Sequence, residues 1–353
     1  MRLVSRVRTV PVTSPPRPRP HVYGHRGAPG YVPENTLGSY ALAASMGVDA
    51  IEFDLVCTKD GHLVDRHEPN LAGSTDVAER PEFADRWREV AIGEHTERGW
   101  FTVDFTLEEL RTLRAREPLP ALRPHTLEVE GDWGIPTLDE ILALRQEQSE
   151  RRGWELGVVV EIKHSSLFHL LGFDPEAGVL DALARHGLAG ADPRVRLESF
   201  ETTNLRRLRD GLGYSGTLVF LAEDAGRPLD HVLADDPRGY ADLLTPSGLD
   251  ELAQVVDVIG PSKHLVIGRT PEDRLADPTS LVADAHAVGL AVTPWTFRAE
   301  NQFLPAELRS DEDPGAHGDL AAELTAYFDA GVDAVFCDQP DLALAAREAY
   351  LGR

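Results

Sequence analysis

Short apolar runs alternate with amphipathic stretches along most of this chain. Runs rich in β-branched residues predict buried strands, and stretches with apolar residues three and four positions apart predict helices. Eight strands are predicted, near residues 22, 50, 158, 194, 217, 256, 291 and 334, and most of the segments between them have the helical pattern. Because strands that alternate with helices pair in parallel, the pattern predicts an α/β fold, the TIM (β/α)8 barrel.

An open, doubly wound sheet is the alternative fold that the same elements can build. Such sheets normally carry a glycine-rich phosphate loop directly after the first strand. Residues 25–30 read HRGAPG, which matches neither a dinucleotide fingerprint nor a P-loop. The first loop therefore favours the barrel.

The alternation of strands and helices fails between residues 68 and 134. This inserted segment is rich in charge, tryptophan and proline, and one clear helical pattern covers residues 106–115. Thr106 and Glu109 have the spacing of a capping box at its start. Stretches of this length inside a compact domain are usually functional or lid-like. We predict a cap subdomain after the second strand, within one barrel domain over residues 21–350, that restricts which molecules enter the site.

The charge and composition exclude several kinds of partner. The net charge is −24, from 59 acidic and 35 basic residues, which argues against nucleic acids and anionic membrane surfaces as partners. No apolar run approaches the length of a membrane span, so we expect no stable membrane insertion. The two cysteines, Cys57 and Cys337, are expected to be free thiols. The partner we expect is a small-molecule substrate, and the oligomeric state is left open.

Residues 1–20 are basic and proline-rich and lack the apolar core of a signal peptide. They predict a disordered tail and favour a cytoplasmic location. A periplasmic or secreted location stays open if translation starts elsewhere.

Two carboxylates stand two positions apart in the predicted second strand. Residues i and i+2 of a strand face the same side, so Glu52 and Asp54 can direct oxygens at one point, as a hard cation requires. His25 and His67, at the ends of nearby predicted strands, are candidates for proton transfer near neutral pH. Together with the guanidinium of Arg26, these groups suit the cleavage of a phosphate ester.

The carboxyl ends of the strands of a barrel meet at one mouth. Charged side chains are costly to bury without partners, so their recurrence at these ends predicts a binding site. The polar and aromatic residues at the predicted strand ends are His25, Arg26, Glu52, Asp54, Glu161, Lys163, Glu198, Trp295 and Asp338.

In combination, the motifs of the chain resemble the glycerophosphodiester phosphodiesterase family. The motifs are HRG at residues 25–27, PENT at 33–36, Glu52-x-Asp54, KDG at 59–61, His67, EIK at 161–163, WTF at 295–297 and DQPD at 338–341. The stretches at 75–78 and 104–107 resemble the bacterial periplasmic-type branch of that family.

The resemblance implies a TIM barrel with one divalent cation, Ca²⁺ or Mg²⁺, at its mouth. It implies that His25 and His67 act as general acid and base. The implied cation ligands are Glu52, Asp54 and Glu161, and the implied substrate contacts are Arg26 and Lys163. Glu198 and Trp295 are further candidates for substrate binding, Trp295 because an aromatic face packs well on the carbons of glycerol. Glu34 and Asn35 are expected to support these residues from behind. Glu198 is a departure, because the family commonly has glutamine at that position, and it adds a negative charge near the mouth.

The reaction implied is hydrolysis of a glycerophosphodiester to sn-glycerol 3-phosphate and an alcohol. The attacking group is left open between water and the glycerol hydroxyl of the substrate. A lipase resembling lysophospholipase D or sphingomyelinase D shares the histidine and Glu-x-Asp layout and is the nearest alternative, but it needs an apolar entry surface. A binding protein without activity on the same fold is the alternative from another class.

Overall fold

The computed structural model describes residues 19–129, 131 and 133–353, so all of the predicted tail except Arg19 and Pro20 lies outside the described residues. The strands are β1 (His21–Gly24), β2 (Ala50–Cys57), β3 (Leu63–Asp65), β4 (Arg88–Ile92), β5 (His95–Gly99), β6 (Gly157–Ile162), β7 (Val195–Ser199), β8 (Thr217–Ala222), β9 (Val258–Pro261), β10 (Ile267–Arg269), β11 (Leu275–Pro278), β12 (Ala291–Val292) and β13 (Ala334–Cys337). The α-helices are α1 (Leu37–Met46), α2 (Leu107–Leu110), α3 (Leu138–Arg152), α4 (Ser165–Leu170), α5 (Pro175–Arg185), α6 (Thr202–Arg206), α7 (Leu229–Leu233), α8 (Tyr240–Leu243), α9 (Pro246–Leu252), α10 (Lys263–Val266), α11 (Leu281–Ala287), α12 (Leu320–Asp329) and α13 (Pro340–Leu351).

Eight parallel strands form a nearly closed barrel, which confirms the predicted fold. Their order around the sheet is β12-β9-β8-β7-β6-β2-β1-β13, and β3 adds to β2 as an antiparallel partner. The seam between β12 and β13 is closed by a few contacts, among them the amide of Phe297, which donates to the carbonyl of Phe336 at 2.9 Å. The barrel strands coincide with the eight predicted apolar runs.

The barrel strands are buried on both faces, and this explains their sequences. All residues of β2 and β6 are buried, between the barrel interior and the surrounding helices. Such strands read as apolar runs, and carboxylates enter them only where a partner or a ligand is at hand. In β6, Glu161 is the one charged residue, next to the last position of the strand.

The helices begin where the sequence provides caps. The Thr36 side chain accepts a hydrogen bond from the Ser39 amide at the start of α1, and Gly47 ends this helix in the left-handed region, with φ at 102°. A capping box formed by Thr137 and Glu140 starts α3, as the spacing predicts.

Three predicted elements are shorter in the structure than in the sequence pattern. The strand predicted near residue 291 is regular only over β12, because Pro294 has no amide hydrogen to donate. The helix predicted over 106–115 is reduced to α2, because Arg114 turns away and its amide donates to Asp76. The helical pattern between the fourth and fifth predicted strands is α6 followed by one π-helical turn over Arg207–Gly211.

The inserted segment lies against the carboxyl end of β2. It contains α2, short 3₁₀ turns and the antiparallel hairpin β4–β5, which the sequence pattern did not predict. Phe83 and Phe105 of the segment pack edge to face at 5.0 Å, in a buried apolar cluster that also includes Val56 of β2. The segment therefore shares a small core with the barrel.

Two further features bear on the sequence-based expectations. Cys57 and Cys337 are buried and unpaired, as expected. Among the described residues, every helix is too short or too polar to cross a membrane.

Candidate active site

A cavity of about 920 Å³ opens at the carboxyl ends of the barrel strands. Glu34, Asn35 and Glu52 are not part of its lining, and all the other predicted site residues are. Those lining residues are His25, Arg26, Asp54, His67, Glu161, Lys163, Glu198 and Trp295. The structure thus brings together, at one mouth, side chains that are more than 250 positions apart in the sequence.

Glu52, Asp54 and Glu161 form a buried carboxylate cluster. One oxygen from each of the three lies within 4.8 Å of the others. The register of β2 against β6 places Asp54 opposite Glu161. Lys163 Nζ contacts Glu161 Oε2 at 2.8 Å and Asp54 Oδ1 at 3.3 Å.

The cluster has the properties of a site for a hard cation. Glu161 Oε1 is buried and finds no hydrogen-bond partner among the described residues. Burial raises the pKa of Glu161 to about 8 and, with the neighbouring Asp54, raises the pKa of Glu52 well above its usual range. Carboxylate oxygens are the ligands that Ca²⁺ and Mg²⁺ prefer, and a divalent charge would offset the repulsion between these groups. The residues present therefore fit such a cation.

Asp54 differs electrostatically from the other two members of the carboxylate cluster. Burial alone would raise its pKa, but Lys163, His67 and Arg26 together hold the pKa of this carboxyl well below its usual range. These groups therefore favour the ionised form of Asp54.

Glu198 brings a fourth carboxylate to the same place. It pairs with Glu161 in the register of β6 and β7 and is only 3% exposed. Burial, followed by the charges of Glu161 and Asp54, raises its pKa well above the usual range. Its Oε2 has no hydrogen-bond partner among the residues that the structure describes.

His25 follows β1 and is almost fully buried. Its Nδ1 lies 2.7 Å from Asp338 Oδ1, and its Nε2 lies 3.4 Å from Thr296 Oγ1. Burial and then the charge of Arg26 lower the pKa of His25 to about 4. Because Asp338 can only accept, Nδ1 carries the proton of the neutral ring and Nε2 is left as the basic atom.

His67 follows β3 at the start of the inserted segment. A third of its side chain is exposed, and its Nδ1 lies 3.0 Å from Glu68 Oε1. Partial burial and the charges of Arg26 and Lys163 lower the pKa of His67. Glu68 also contacts His164, whose Nε2 lies 3.4 Å from the other Glu68 oxygen.

Arg26 is held in a strained conformation that directs both its backbone and its side chain at the carboxylates. Its φ is 52°, in the left-handed region that non-glycine residues seldom adopt. Its amide donates to Glu52 Oε2 at 2.7 Å, and its Nη1 donates to Glu34 Oε2 at 2.9 Å. Glu34 therefore orients the guanidinium from behind.

Asn35 supports the carboxylate cluster from the other side. Its Nδ2 donates to Asp54 Oδ2 at 3.0 Å and to Asp65 Oδ1 at 2.5 Å. The Tyr40 hydroxyl donates to the second oxygen of Asp65 at 2.5 Å. This network fixes the rotamer of Asp54, and Asp65 within it was not singled out from the sequence.

Trp295 lines the cavity and lies shortly after β12, the seventh strand of the barrel. Its indole N–H donates to the carbonyl of Gly260 at 2.7 Å. Its ring packs edge to face on Phe200, with the centroids 5.7 Å apart. Both partners fix the ring, so one aromatic surface is held rigidly at the mouth.

The hairpin β4–β5 of the inserted segment lines the same cavity. Its turn, residues 92–95, reaches the loop that follows β8, where Arg227 Nη2 donates to Glu94 Oε1 at 2.5 Å. The rim near this contact also includes Glu97, Glu223 and Asp224. The hairpin therefore contributes Glu94 and Glu97 to the lining of the cavity.

Several residues at the mouth were missed in the sequence or read as incidental. His164 follows Lys163 and touches Glu68, but its sequence neighbours give no sign of this contact. Asp338 was noted as a strand-end residue and as part of the DQPD motif, without a role in the site. Of the two arginines that bind it, Arg123 lies in a loop without a motif and Arg298 directly follows the WTF motif. Only the convergence of distant loops in space reveals them.

Comparison with known proteins agrees with this geometry. A family model described as the glycerophosphoryl diester phosphodiesterase family matches residues 25–342. A glycerophosphodiester phosphodiesterase of Arabidopsis thaliana is 33% identical over 306 residues, which cover 83% of this chain and 78% of the relative. Another, of Haemophilus influenzae, is 28% identical over 300 residues, 79% of each chain. The barrel, its site and these matches define a class, the phosphoric diester hydrolases. Within it, the chain belongs to the glycerophosphoryl diester phosphodiesterase family.

Solved structures show the same fold. A structure from Silicibacter pomeroyi has a TM-score of 0.63 at 22% identity and covers 96% of this chain and 95% of its own. A phosphodiesterase of Oleispira antarctica, solved in complex with the product sn-glycerol-3-phosphate, has a TM-score of 0.61 at 21% identity, over 93% of this chain and 97% of that chain. At these identities the likeness supports the barrel and no finer statement.

Proposed function

We propose that this enzyme hydrolyses glycerophosphodiesters to sn-glycerol 3-phosphate and an alcohol, with one divalent cation bound by Glu52, Asp54 and Glu161. The observation that carries the proposal is the carboxylate cluster, in which an unpartnered oxygen of Glu161 lies at the same cavity as two histidines. The bound cation would neutralise and polarise a phosphoryl oxygen of the substrate. Ca²⁺ and Mg²⁺ both suit the oxygen ligands.

The cationic side chains of the site bind and orient the substrate phosphate. A phosphodiester is an anion, and it repels any attacking oxygen that carries negative charge. Arg26 and Lys163 lie beside the carboxylate cluster. They supply local positive charge to the phosphate, whereas the protein as a whole is negatively charged and repels it at long range. Trp295 would pack on the glycerol carbons from the opposite side of the cavity.

His25 is the proposed general base. Its pKa of about 4 keeps the ring neutral at neutral pH, and its Nε2 faces the cavity with Nδ1 bound to Asp338. The Nε2 atom accepts the proton of the attacking hydroxyl, which comes from water or from the glycerol part of the substrate.

His67 is the proposed general acid. It donates a proton to the leaving alkoxide, and Glu68 at its Nδ1 stabilises the protonated ring. Each of the two transfers is expected to contribute about 10²–10⁴-fold to the rate.

The inserted segment is proposed to act as a cap that selects short, water-soluble diesters. The support is that the hairpin β4–β5 lines the cavity and is tied across it through Glu94 and Arg227. The carboxylates Glu97, Glu223 and Asp224 in the lining are unfavourable for the anionic membrane surfaces that a lipase of the lysophospholipase D type must meet.

The test is hydrolysis of glycerophosphocholine, run beside lysophosphatidylcholine, with and without EDTA. We expect release of sn-glycerol 3-phosphate that EDTA abolishes and that added Ca²⁺ or Mg²⁺ restores. The Glu52→Gln variant is expected to be inactive with its melting temperature close to that of the wild type. Preferred cleavage of lysophosphatidylcholine would favour the lipase, and activity that survives both EDTA and Glu52→Gln would refute the metal assignment.

A further inference from the structure

The inserted segment contributes one buried arginine, Arg123, to the loops at the carboxyl end of the barrel. Arg123 lies in a loop of the segment and is 1% exposed. Its Nη2 donates to Asp338 Oδ2 at 2.6 Å, its Nε to Glu300 Oε1 at 2.6 Å, and its Nη1 to the carbonyl of Pro29 at 3.1 Å. A single guanidinium thus joins the loops that follow the first, seventh and eighth strands of the barrel.

The contacts of Arg123 lie behind a residue of the proposed chemistry. Asp338 uses one oxygen to bind His25 Nδ1 at 2.7 Å and the other to bind Arg123. Arg298 Nε also donates to that second oxygen, at 2.7 Å. Burial would raise the pKa of Asp338, but Arg298, Arg123 and His25 hold it well below its usual range.

The buried charges at this place balance one another. Two guanidinium groups, those of Arg123 and Arg298, face two carboxylates, those of Asp338 and Glu300. Removing one cation would leave an excess negative charge next to the imidazole of His25. Buried charges of this kind are costly when one partner is removed, so the group acts as a unit.

We propose that Arg123 is a positioning residue for His25 and acts through Asp338. Its three donors fix the rotamer of Asp338 and the distance between the loops at the seam of the barrel. Asp338 in turn fixes the orientation and the tautomer of the ring, so that the basic Nε2 points into the cavity. The inserted segment then completes the catalytic mouth in addition to narrowing it.

A lysine at this position would not replace the arginine. A guanidinium offers a planar fork of five donors, which suits two carboxylates and a carbonyl at once, whereas an ammonium is a compact point charge. Arg123→Lys therefore keeps the positive charge but loses the three simultaneous contacts, which separates the effect of charge from the effect of position.

The charged groups that face His25 come from four places. They are Arg26 from its own loop, Asp338 at the end of β13, Arg298 after β12, and Arg123 behind Asp338. Replacing Arg123 by a neutral residue leaves the negative charge of Asp338 less balanced, which favours the imidazolium. The limb of the pH–rate profile to which His25 contributes should therefore move to higher pH.

The test compares Arg123→Met, Arg123→Gln and Arg123→Lys in the full chain, with Arg347→Lys as the control. Arg347 is an equally buried arginine, bound to Asp49 Oδ2 at 2.5 Å, outside the lining of the cavity. The readouts are kcat and KM for glycerophosphocholine across pH, the melting temperature, and the ¹⁵N shifts of the His25 ring, which report the tautomer without any turnover.

For the two neutral variants we expect kcat to fall about ten- to hundredfold, with a smaller change in KM. The His25 limb should shift upward by about 0.5 pH unit or more, and the ¹⁵N shifts should show a mixed tautomer. Arg123→Lys should keep the position of the limb and lose part of kcat, and Arg347→Lys should change only the melting temperature.

The proposal rests on the proposed function, but its failure is distinguishable from the failure of that function. If the wild type does not cleave glycerophosphocholine, the proposed function fails while the tautomer measurement still decides the role of Arg123. If the neutral variants lower only the melting temperature, with limb and tautomer unchanged, Arg123 is a structural clamp and the proposal is wrong. If neither neutral variant folds, a wild-type kcat in Arg123→Lys overturns it.

Discussion

At the scale of single residues, the active site is identified by the polar atoms that its hydrogen bonds leave available for a substrate or a cation. His25 has its Nδ1 committed to Asp338, and Glu161 has one oxygen committed to Lys163 and one without a partner among the described residues. Buried polar atoms with few or no hydrogen-bond partners are costly to a protein that does not use them. Their presence at one mouth is the reason to read it as an active site.

The proposed proton transfers predict a loss of rate for two variants. His25→Ala and His67→Ala should each lose at least about two orders of magnitude in kcat for glycerophosphocholine. His186→Ala is a matched control, because that histidine pairs with Asp139 at the surface of the barrel. Steady-state kinetics at neutral pH check this, and a tenfold or smaller loss in both active-site variants would contradict the pairing.

The depressed pKa of His25 also predicts how stability depends on pH. The unfolded ring binds a proton near pH 6.5, whereas burial delays protonation in the folded protein until about pH 4. Above about pH 6.5 the ring is neutral in both states and does not change the free energy of unfolding. Between about pH 6.5 and pH 4 only the unfolded ring binds a proton, so the free energy of unfolding decreases as the pH falls through this window. Urea unfolding of the wild type and of His25→Gln should show a shallower pH dependence in the variant over this window, and equal slopes would contradict the assignment.

At the scale of elements, the sequence predicted the barrel because its strands and helices have distinct periods. The eight apolar runs coincide with the eight parallel strands, and the capping box predicted at Thr106 and Glu109 starts α2. The inserted segment was harder, since its elements are short and its charges have no period. The hairpin β4–β5 is largely exposed, and apolar and polar residues alternate only weakly along its strands. The sequence therefore contains no apolar pattern that predicts it.

The same reasoning explains what could be predicted of the site. Glu52 and Asp54 share a strand face, so their meeting follows from the two-residue period of β2. The contact between Arg123 and Asp338 spans more than 200 positions and depends on the path of an irregular loop. Sequence spacing carries no information on such a path.

The cap proposal makes a prediction at the level of the hairpin. Replacing residues 89–98 by a short glycine–serine link should open the entrance and raise the ratio of lysophosphatidylcholine to glycerophosphocholine turnover. Trp87→Ala is the control, because this tryptophan is in the inserted segment, half exposed and outside the cavity lining. If the shortened enzyme keeps the substrate preference of the wild type, the hairpin does not set specificity.

At the scale of the whole molecule, the net charge of −24 opposes the approach of an anionic substrate. Salt screens this long-range repulsion and leaves the close contacts of Arg26 and Lys163 less affected. Raising the ionic strength from about 10 to about 150 mM should therefore lower KM for glycerophosphoglycerol, which carries a net negative charge. Glycerophosphocholine, whose charges cancel, is the control substrate and should change much less. Equal responses of the two substrates would contradict the electrostatic account.

The most direct test of the central claim joins metal binding to activity in one titration. Protein stripped with EDTA is titrated with Ca²⁺ and, separately, with Mg²⁺, while calorimetry records binding and parallel samples are assayed with glycerophosphocholine. We expect one binding site per chain for at least one of the two ions, and we expect hydrolysis to return as that site fills. The Glu161→Gln variant should show neither cation binding nor hydrolysis. Full activity of the stripped protein, or wild-type binding by Glu161→Gln, would contradict it.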